Sequence, residues 1–349
     1  SVGSYVNQFE KMMAEFTGTK YAVATSSGTT ALHIALILSG VQRNDYVIVP
    51  NLTFVASLNA ISYTGASPIL IDADEYTWQM NLDILENFLE NETTVEQKGC
   101  ILKKDGRVVR AIMPVHVLGN MINMDRLLTL CNKDGLTIVE DATEALGSYY
   151  KGKHSGTFGV MGCFSYNGNK IITTGGGGMI VTNDEGLAKK AKHLTTQAKS
   201  DAFEYVHDEI GYNYRLVNVL AAMGVAQMEQ LPGFITRKKE IETLYKKELT
   251  GVGDIVFQQV MEEVNPNCWL FTFRTSKQKV LLKELNDKQM QSRPFWVPMN
   301  QLPMFKNERY ISNGDVSGKI YSECLSIPCS TYITDDEMQQ VVNVIKSCY

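Results

Sequence analysis

The first two-thirds of this 349-residue chain alternates short apolar runs with helical patterns, and that alternation limits the fold more than any other feature. Tyr21–Ala24, Tyr46–Val49, Pro68–Ile71, Val109–Met113, Thr137–Val139, Met161–Phe164 and Met179–Val181 read as buried strands. Several are rich in Val and Ile and bounded by Gly, Asn or Asp. Helical stretches such as Thr29–Leu38 and Met124–Asn132 lie between most of them. Strand-helix alternation of this kind implies an α/β fold with a mainly parallel sheet covered on both faces. Ligands of such sheets gather at the carboxyl ends of the strands, so chemistry is expected there.

The pattern changes near Leu231–Pro232–Gly233. A charged helix from about Ile235 to Leu249 leads into a region with fewer clear strands, where Cys268–Thr275 alternates like a sheet edge and Asp335–Ser347 closes the chain as a helix. The length predicts about two domains, here residues 1–235 and a smaller unit of 236–349. No internal repeat or low-complexity tract interrupts them.

One strand end carries a reactive group. Cys163–Phe164–Ser165–Tyr166–Asn167–Gly168–Asn169–Lys170 is followed by Ile-Ile-Thr-Thr and four glycines, Gly175 to Gly178. Aromatics precede this lysine and an apolar run, Met179–Val181, lies behind it. A partly desolvated lysine presents the neutral amine that a Schiff base with an aldehyde needs. A lysine near glycines is also an ordinary loop residue, so its partners decide. Gly175–Gly178 reads as close backbone packing more than as an anion site.

Ser26–Ser27–Gly28–Thr29–Thr30 follows the first strand and opens an apolar helix. Free N–H groups and the helix dipole make such an N-terminus an anion site, although a plain Ser/Thr cap looks the same in sequence. Neither GxGxxG nor GxxxxGK[ST] is present, which disfavours the usual dinucleotide and ATP sites. In Thr137-Ile-Val-Glu-Asp141-Ala-Thr-Glu144 an apolar strand ends in an acidic pair. A carboxylate buried at a strand tip needs a cationic partner. A pyridinium nitrogen would satisfy Asp141; so would a helix N-terminus, with Glu144 completing a capping box. Phe54, in Asn51-Leu-Thr53-Phe54-Val-Ala-Ser57, stands where an aromatic ring covers a flat heterocycle or packs in the core. Arg215, in Gly211-Tyr-Asn213-Tyr-Arg215, is either a fork for a carboxylate or phosphate or a surface cation.

Composition removes several classes. A net charge of −5 without a basic stripe argues against nucleic-acid binding. Seven scattered cysteines without a CxxC pair fit a reduced, cytoplasmic setting. No run approaches the roughly 18 apolar residues of a membrane helix, and no signal peptide opens the chain. Ser1 leads straight into an amphipathic helical pattern, which predicts a missing upstream segment. His33 lies in an apolar helix and His154 in a glycine-flanked turn, while His193 and His207 show no partner at metal-ligand spacing, so no metal site is expected.

Taken together, in this order and spacing, these motifs resemble the DegT-type nucleotide-sugar aminotransferases, which depend on pyridoxal phosphate and have the aspartate aminotransferase fold (fold type I). The likeness runs from Gly3-Ser-Tyr-Val-Asn-Gln-Phe-Glu10 to the closing helix and includes Pro114-Val-His116, the element ending at Lys170, and Arg293-Pro-Phe-Trp296-Val-Pro298. The resemblance implies that Lys170 holds pyridoxal 5'-phosphate as a Schiff base and later moves a proton between substrate and cofactor. It implies that Asp141 pairs with the ring nitrogen, that Phe54 stacks on the ring, and that Gly28 and Thr29 amides with the Ser165 hydroxyl bind the phosphate. Asn213 is implied to reach the phosphate of a neighbouring subunit, giving a homodimer with shared sites. His116 and Arg215 are candidates for the substrate cavity.

The chain departs from the family pattern at Glu144, where many relatives carry Gln or His, and an added carboxylate there bears on the Schiff base or on sugar preference. Val115-His116-Val-Leu-Gly-Asn120, Glu144 and Ser292-Arg-Pro-Phe-Trp296 resemble the LegC-type branch most. That branch implies amination of C4 in a nucleotide-linked 4-keto-6-deoxy-N-acetylhexosamine, with glutamate as donor, toward amino sugars of cell-surface polysaccharide. The alternatives are a sugar dehydratase of the same fold, a non-catalytic regulatory member and a nicotinamide dehydrogenase. Related dehydratases carry histidine at the lysine position, the complete set of Lys170, Asp141 and Asn213 counts against a regulator, and the missing glycine fingerprint counts against a dehydrogenase.

Overall fold

The computed structural model describes residues 3–201 and 203–349; what precedes the chain at Ser1 lies outside them. All seven expected strands are present, each within two residues of its expected ends. They are β1 (Tyr21–Thr25), β2 (Tyr46–Pro50), β3 (Ser67–Ile71), β4 (Val108–Ile112), β5 (Thr137–Asp141), β6 (Met161–Ser165) and β7 (Gly178–Thr182). With β8 (Arg309–Ile311) they form the sheet order β1-β7-β6-β5-β4-β2-β3-β8. Pairing is parallel from β6 to β8, and along this path β7 alone runs against both its neighbours. The carboxyl ends of β1, β2, β4, β5 and β6 therefore share one rim, which β7 enters at its amino end.

Strand side chains alternate between two buried faces, as a covered parallel sheet requires. Val47 and Val49 pack with Leu32, Leu36 and Leu58 on one side; Ile48 packs with Leu85, Phe88 and Leu127 on the other. Helices Gly28–Leu38, Ala56–Tyr63 and Glu185–Thr195 supply the first layer, and Leu82–Glu92 and Met124–Asp134 part of the second. The helix Ser4–Thr17 packs along Asn218–Leu249, where Gly224 is needed because a Cβ there would meet the Phe9 ring at 2.7 Å.

The helix expected from about Ile235 begins earlier: one helix runs from Asn218 to Leu249 with Pro232 inside it. A proline removes a backbone hydrogen bond and crowds the preceding turn. Both flanks are nevertheless held, since Met228 and Leu231 belong to one core and Ile241, Tyr245 and Leu249 to another. That second core is built from residues 241–348 around an antiparallel sheet ordered Val256–Phe257, Phe271–Arg274, Cys324–Ile327, Arg293–Pro294. The helix thus passes through residue 235, where the sequence suggested a boundary. The later segment also reaches back, because β8 adds to the open edge of β3. No helix of the described residues is long and apolar enough to cross a membrane, and their cysteines are free.

Candidate active site

A cavity of about 300 Å³ opens on the rim of strand ends, lined by Gly28, Thr29, Phe54, Asp141, Ser165 and Lys170 among others. Five strand ends, those of β1, β2, β4, β5 and β6, converge there because parallel strands deliver their carboxyl ends to one side of the sheet. The volume falls in the range of small-ligand sites, about 300–1,000 Å³.

Asp141 is the last residue of β5 and is 2% exposed. Its Oδ2 accepts from Ser57 Oγ at 2.6 Å, and its Oδ1 accepts from Thr143 N at 3.2 Å and Thr143 Oγ1 at 2.7 Å. These donors are neutral, so they orient the carboxylate and leave its charge for a ligand in the cavity. Ser57 stands on the first turn of the helix that follows β2, three residues after Phe54.

Phe54 is 52% exposed, an unusual state for a phenylalanine beside a cavity, and its ring meets Trp296 edge-on at 6.4 Å. An aromatic face left open over a cavity floor suits a flat heterocycle. The anion end is built by the helix Gly28–Leu38. Ser27 caps it by accepting from Thr30 N at 3.1 Å, while the earlier helix amides have no intrahelical acceptor. Gly28 permits a close approach: a Cβ there would stand 2.7 Å from Ser165 Cβ. Gly178 is needed for the same reason, since its Cβ would meet Ser27 O at 2.4 Å. The glycine run thus brings β7 against the amides of the anion cradle.

Lys170 reaches the same cavity from the loop after β6. Its side chain is 12% exposed, its Nζ is 3.7 Å from Glu144 Oε1, and it stands 4.1 Å over the Trp269 ring. Trp269 Nε1 donates to Asn169 O at 2.7 Å, which ties that ring to the lysine loop. Glu144 Oε2 accepts from Leu118 N at 2.8 Å. Burial pushes the Glu144 carboxyl up to about 7 against the attraction of Lys170. Glu144 caps no helix here; the capping-box alternative does not describe this loop.

His116 is not brought to the cavity wall. It is fully buried, with Nε2 2.9 Å from Glu140 Oε2. Glu140 also accepts from Gly156, Phe158 and Gly159 amides, and this internal network absorbs the histidine. Asn213 is exposed, and neither it nor Arg215 lines the cavity of its own chain. Their loop is anchored beside the anion cradle, where Ser26 N donates to Tyr214 O at 2.7 Å and Thr25 pairs with Arg215. Arg215 Nε is buried without a hydrogen-bond partner among the described residues.

Two contributors escaped sequence reading. Ser57 lay inside a quoted motif, and its place one helical turn past Phe54 was its only signal. Trp269 precedes the strand Phe271–Arg274 and has no local signature; tertiary folding alone carries it to Lys170. His193 does gain acidic neighbours, Asp208 at 2.7 Å and Glu209 at 3.2 Å, from residues too distant in sequence for a ligand pattern. Lys190 pairs with the same Glu209, so this exposed cluster is an ion-pair network.

Beyond Lys170 the cavity continues into a cleft of about 1200 Å³, which shares Asn169, Lys170, Trp269 and Trp296 with it. Gln227, Lys238, Arg293, Thr331 and Tyr332 line its far part. The donor set of the inner cavity fits pyridoxal phosphate: an amine, a buried carboxylate held by neutral donors, an open aromatic face and a glycine-lined helix start. The outer cleft leaves space for a second, larger ligand beside the amine.

Comparison with known proteins agrees with this geometry. The model of the DegT/DnrJ/EryC1/StrS aminotransferase family matches residues 1–346. GDP-perosamine synthase of Escherichia coli O157:H7 is 41% identical over 313 residues, covering 89% of this chain and 81% of its own length. EpsN of Bacillus subtilis (strain 168), which carries the name of a pyridoxal phosphate-dependent aminotransferase, is 38% identical over 99% of this chain and 88% of its own. In three dimensions the chain is similar to DesV of S. venezuelae, with a TM-score of 0.90 and 27% identity, over 99% of this chain and 90% of that one.

Proposed function

This chain belongs to the DegT/DnrJ/EryC1/StrS aminotransferase family, a pyridoxal phosphate-dependent enzyme by that membership, and from that premise we propose that it aminates the keto carbon of a nucleotide-linked sugar. The substrate in this reading is a 4-keto-6-deoxy-N-acetylhexosamine, the amino donor is glutamate, and the product is an amino sugar for surface polysaccharide. One observation carries the reading: Lys170 and Asp141 face one inner cavity that opens, past Lys170, into a cleft large enough for a sugar nucleotide. The nucleotide-sugar product named in GDP-perosamine synthase supports the substrate class. The LegC-like stretches around His116, Glu144 and Trp296 support the finer choice of sugar.

When bound, pyridoxal phosphate supplies an aldehyde carbon that takes up the amino group and a ring that withdraws electrons from the carbon losing its proton. The residues of this chain then have distinct tasks. Gly28 and Thr29 amides, with the Ser165 hydroxyl, hold the phosphate. Asp141, oriented by Ser57 and Thr143, keeps a positive charge at the ring nitrogen. Phe54 covers one ring face. Lys170 would hold the cofactor through Nζ and would hold and move a proton at that atom. Trp269 and Trp296 line both the inner cavity and the cleft and so flank the passage between them.

The reading includes a homodimer in which Asn213 reaches the partner's phosphate cradle. Phe203, Tyr205, Ile210 and Val219 flank that loop with large apolar side chains in the open, 92%, 70%, 86% and 71% exposed. Exposed apolar side chains this close in sequence to Asn213 support an association surface there.

The test supplies the full-length protein and pyridoxal phosphate with glutamate and a nucleotide-linked 4-keto-6-deoxy sugar. Visible absorbance, deamination of glutamate and a sugar product carrying a new amine are expected. Loss of a sugar hydroxyl without amine transfer would assign the dehydratase alternative, and cofactor binding without any turnover would assign the regulatory one.

A further inference from the structure

Glu144 is the cavity acid whose partner is an amine. Asp141 is held by neutral donors, whereas Glu144 Oε1 faces Lys170 Nζ at 3.7 Å and Oε2 accepts from Leu118 N at 2.8 Å. The carboxylate is 2% exposed. Leu118 presents its amide from a left-handed backbone, φ 61°, that a leucine keeps only where its surroundings hold it. On its other side Lys170 Nζ rests over the Trp269 ring at 4.1 Å. A carboxylate and an indole face both favour a positive nitrogen. The charged groups facing Glu144 are Lys170, from the loop after β6, and Asp141, from the end of β5, which opposes a second negative charge. Asn267, from the segment before Trp269, donates its Nδ2 to the Glu144 carbonyl and leaves the carboxylate alone.

We propose that Glu144 is a positioning residue for Lys170: it is the counter-charge that favours the protonated form of the lysine nitrogen. The inference rests on the assignment of Lys170 as the cofactor-bearing lysine.

The test titrates the visible absorbance of the full-length protein loaded with pyridoxal phosphate, comparing wild type, Glu144→Gln and the charge-keeping Glu144→Asp. An opposite charge this near shifts a titration by about one to three pH units. E144Q is therefore expected to lose the proton at the lysine nitrogen at least about one unit lower, roughly a tenfold fall in proton affinity. E144D is expected to retain most of the wild-type midpoint. An unmoved midpoint in E144Q, or equal shifts in both variants, overturns the proposal. If the wild type forms no visible band, the lysine assignment fails instead. The pair is then tested by the pH dependence of Lys170 modification with a small amine reagent, where E144Q must again shift to lower pH. If E144Q does not fold, infrared titration of Lys170→Ala replaces it: by reciprocity the Glu144 carboxyl band must move to higher pH, and an unchanged band overturns the proposal.

Discussion

Ser57 Oγ donates to Asp141 Oδ2 at 2.6 Å, although 84 residues separate the two. They meet because β2 and β5 end on the same rim with only β4 between them. The hydroxyl fixes one carboxylate oxygen while Thr143 fixes the other, so the orientation of Asp141 is set by two strand ends at once. Ser57→Ala is expected to remove one of these restraints at about 1–3 kcal/mol, a roughly ten- to hundredfold loss of transfer rate or cofactor affinity. Asp141→Asn removes the charge itself and is expected to lose several kcal/mol more in catalysis than in binding. Steady-state kinetics and cofactor titration separate the two effects. Equal activity of Asp141→Asn and wild type would reduce Asp141 to a structural acceptor for Thr143.

Lys170→Ala is expected to leave a folded protein that still holds the cofactor through its phosphate and ring contacts. Amino transfer should fall roughly 10³-fold or more, because the anchoring amine and the proton carrier are lost together. Borohydride treatment should cease to attach the cofactor covalently, as read by intact mass. Near wild-type turnover would remove the central assignment.

Gly28→Ala tests the anion cradle. The added methyl would sit 2.7 Å from Ser165 Cβ and 3.2 Å from Thr143 Cγ2, both on the cavity wall. Displacing them is expected to weaken cofactor binding about tenfold or more, in line with overpacking penalties of about 1–3 kcal/mol. Thermal stability should change less than affinity. Unaltered cofactor affinity would move the phosphate site elsewhere.

Asp72 links the two parts of the fold and sets an acid limit on stability. It follows β3 and accepts from Ser312 Oγ at 2.6 Å, Val316 N at 2.9 Å, and Ser317 N and Oγ at 2.8 and 2.6 Å. Burial alone would raise its carboxyl, but the Ser312 and Ser317 hydrogen bonds outweigh it and hold the group below the ordinary 3.8. A depressed folded value means that its stabilisation is complete above the unfolded value and is lost as pH falls below it. Asp72→Ala is expected to lower stability by about 3 kcal/mol or more near neutrality. The difference from wild type should shrink below pH ~4 in denaturant titrations across pH. A difference independent of pH would exclude the charge as its origin.

Mixing Lys170→Ala with the double variant Asn213→Ala, Arg215→Ala tests the shared site. Heterodimers collect both lesions in one site and neither in the other. Random mixing places about half of the dimers in that state, so activity should return to roughly a quarter of wild type per subunit. Demonstrated subunit exchange with no recovered activity would assign the 211–215 loop to its own chain's site.

The seven strands could be read directly because each is a short apolar run buried on both faces, and such runs identify themselves without knowledge of their neighbours. The helix through Pro232 could not. A local rule against proline was outweighed by two cores that grip the flanks, and the second of them is built from residues 241–348. The same holds for β8, whose three residues, Arg309–Ile311, become a strand only because β3 offers an open edge. His116 sits at a strand end like Asp141, yet Glu140, pointing to the opposite face of β5, takes it into the interior.

By itself, then, the sequence determined the alternating elements, the mainly parallel sheet and the strand ends that carry Gly28, Phe54, Asp141, Ser165 and Lys170, since these follow from hydrophobic period and chain order. Tertiary structure alone decided which side chains meet across those ends: Ser57 with Asp141, Glu144 with Lys170, and Trp269 beneath the lysine nitrogen. The physical reason is range. Periodicity and capping act over a few residues, whereas the charge and orientation of a buried group depend on whatever the packed sheet places within about 4 Å of it.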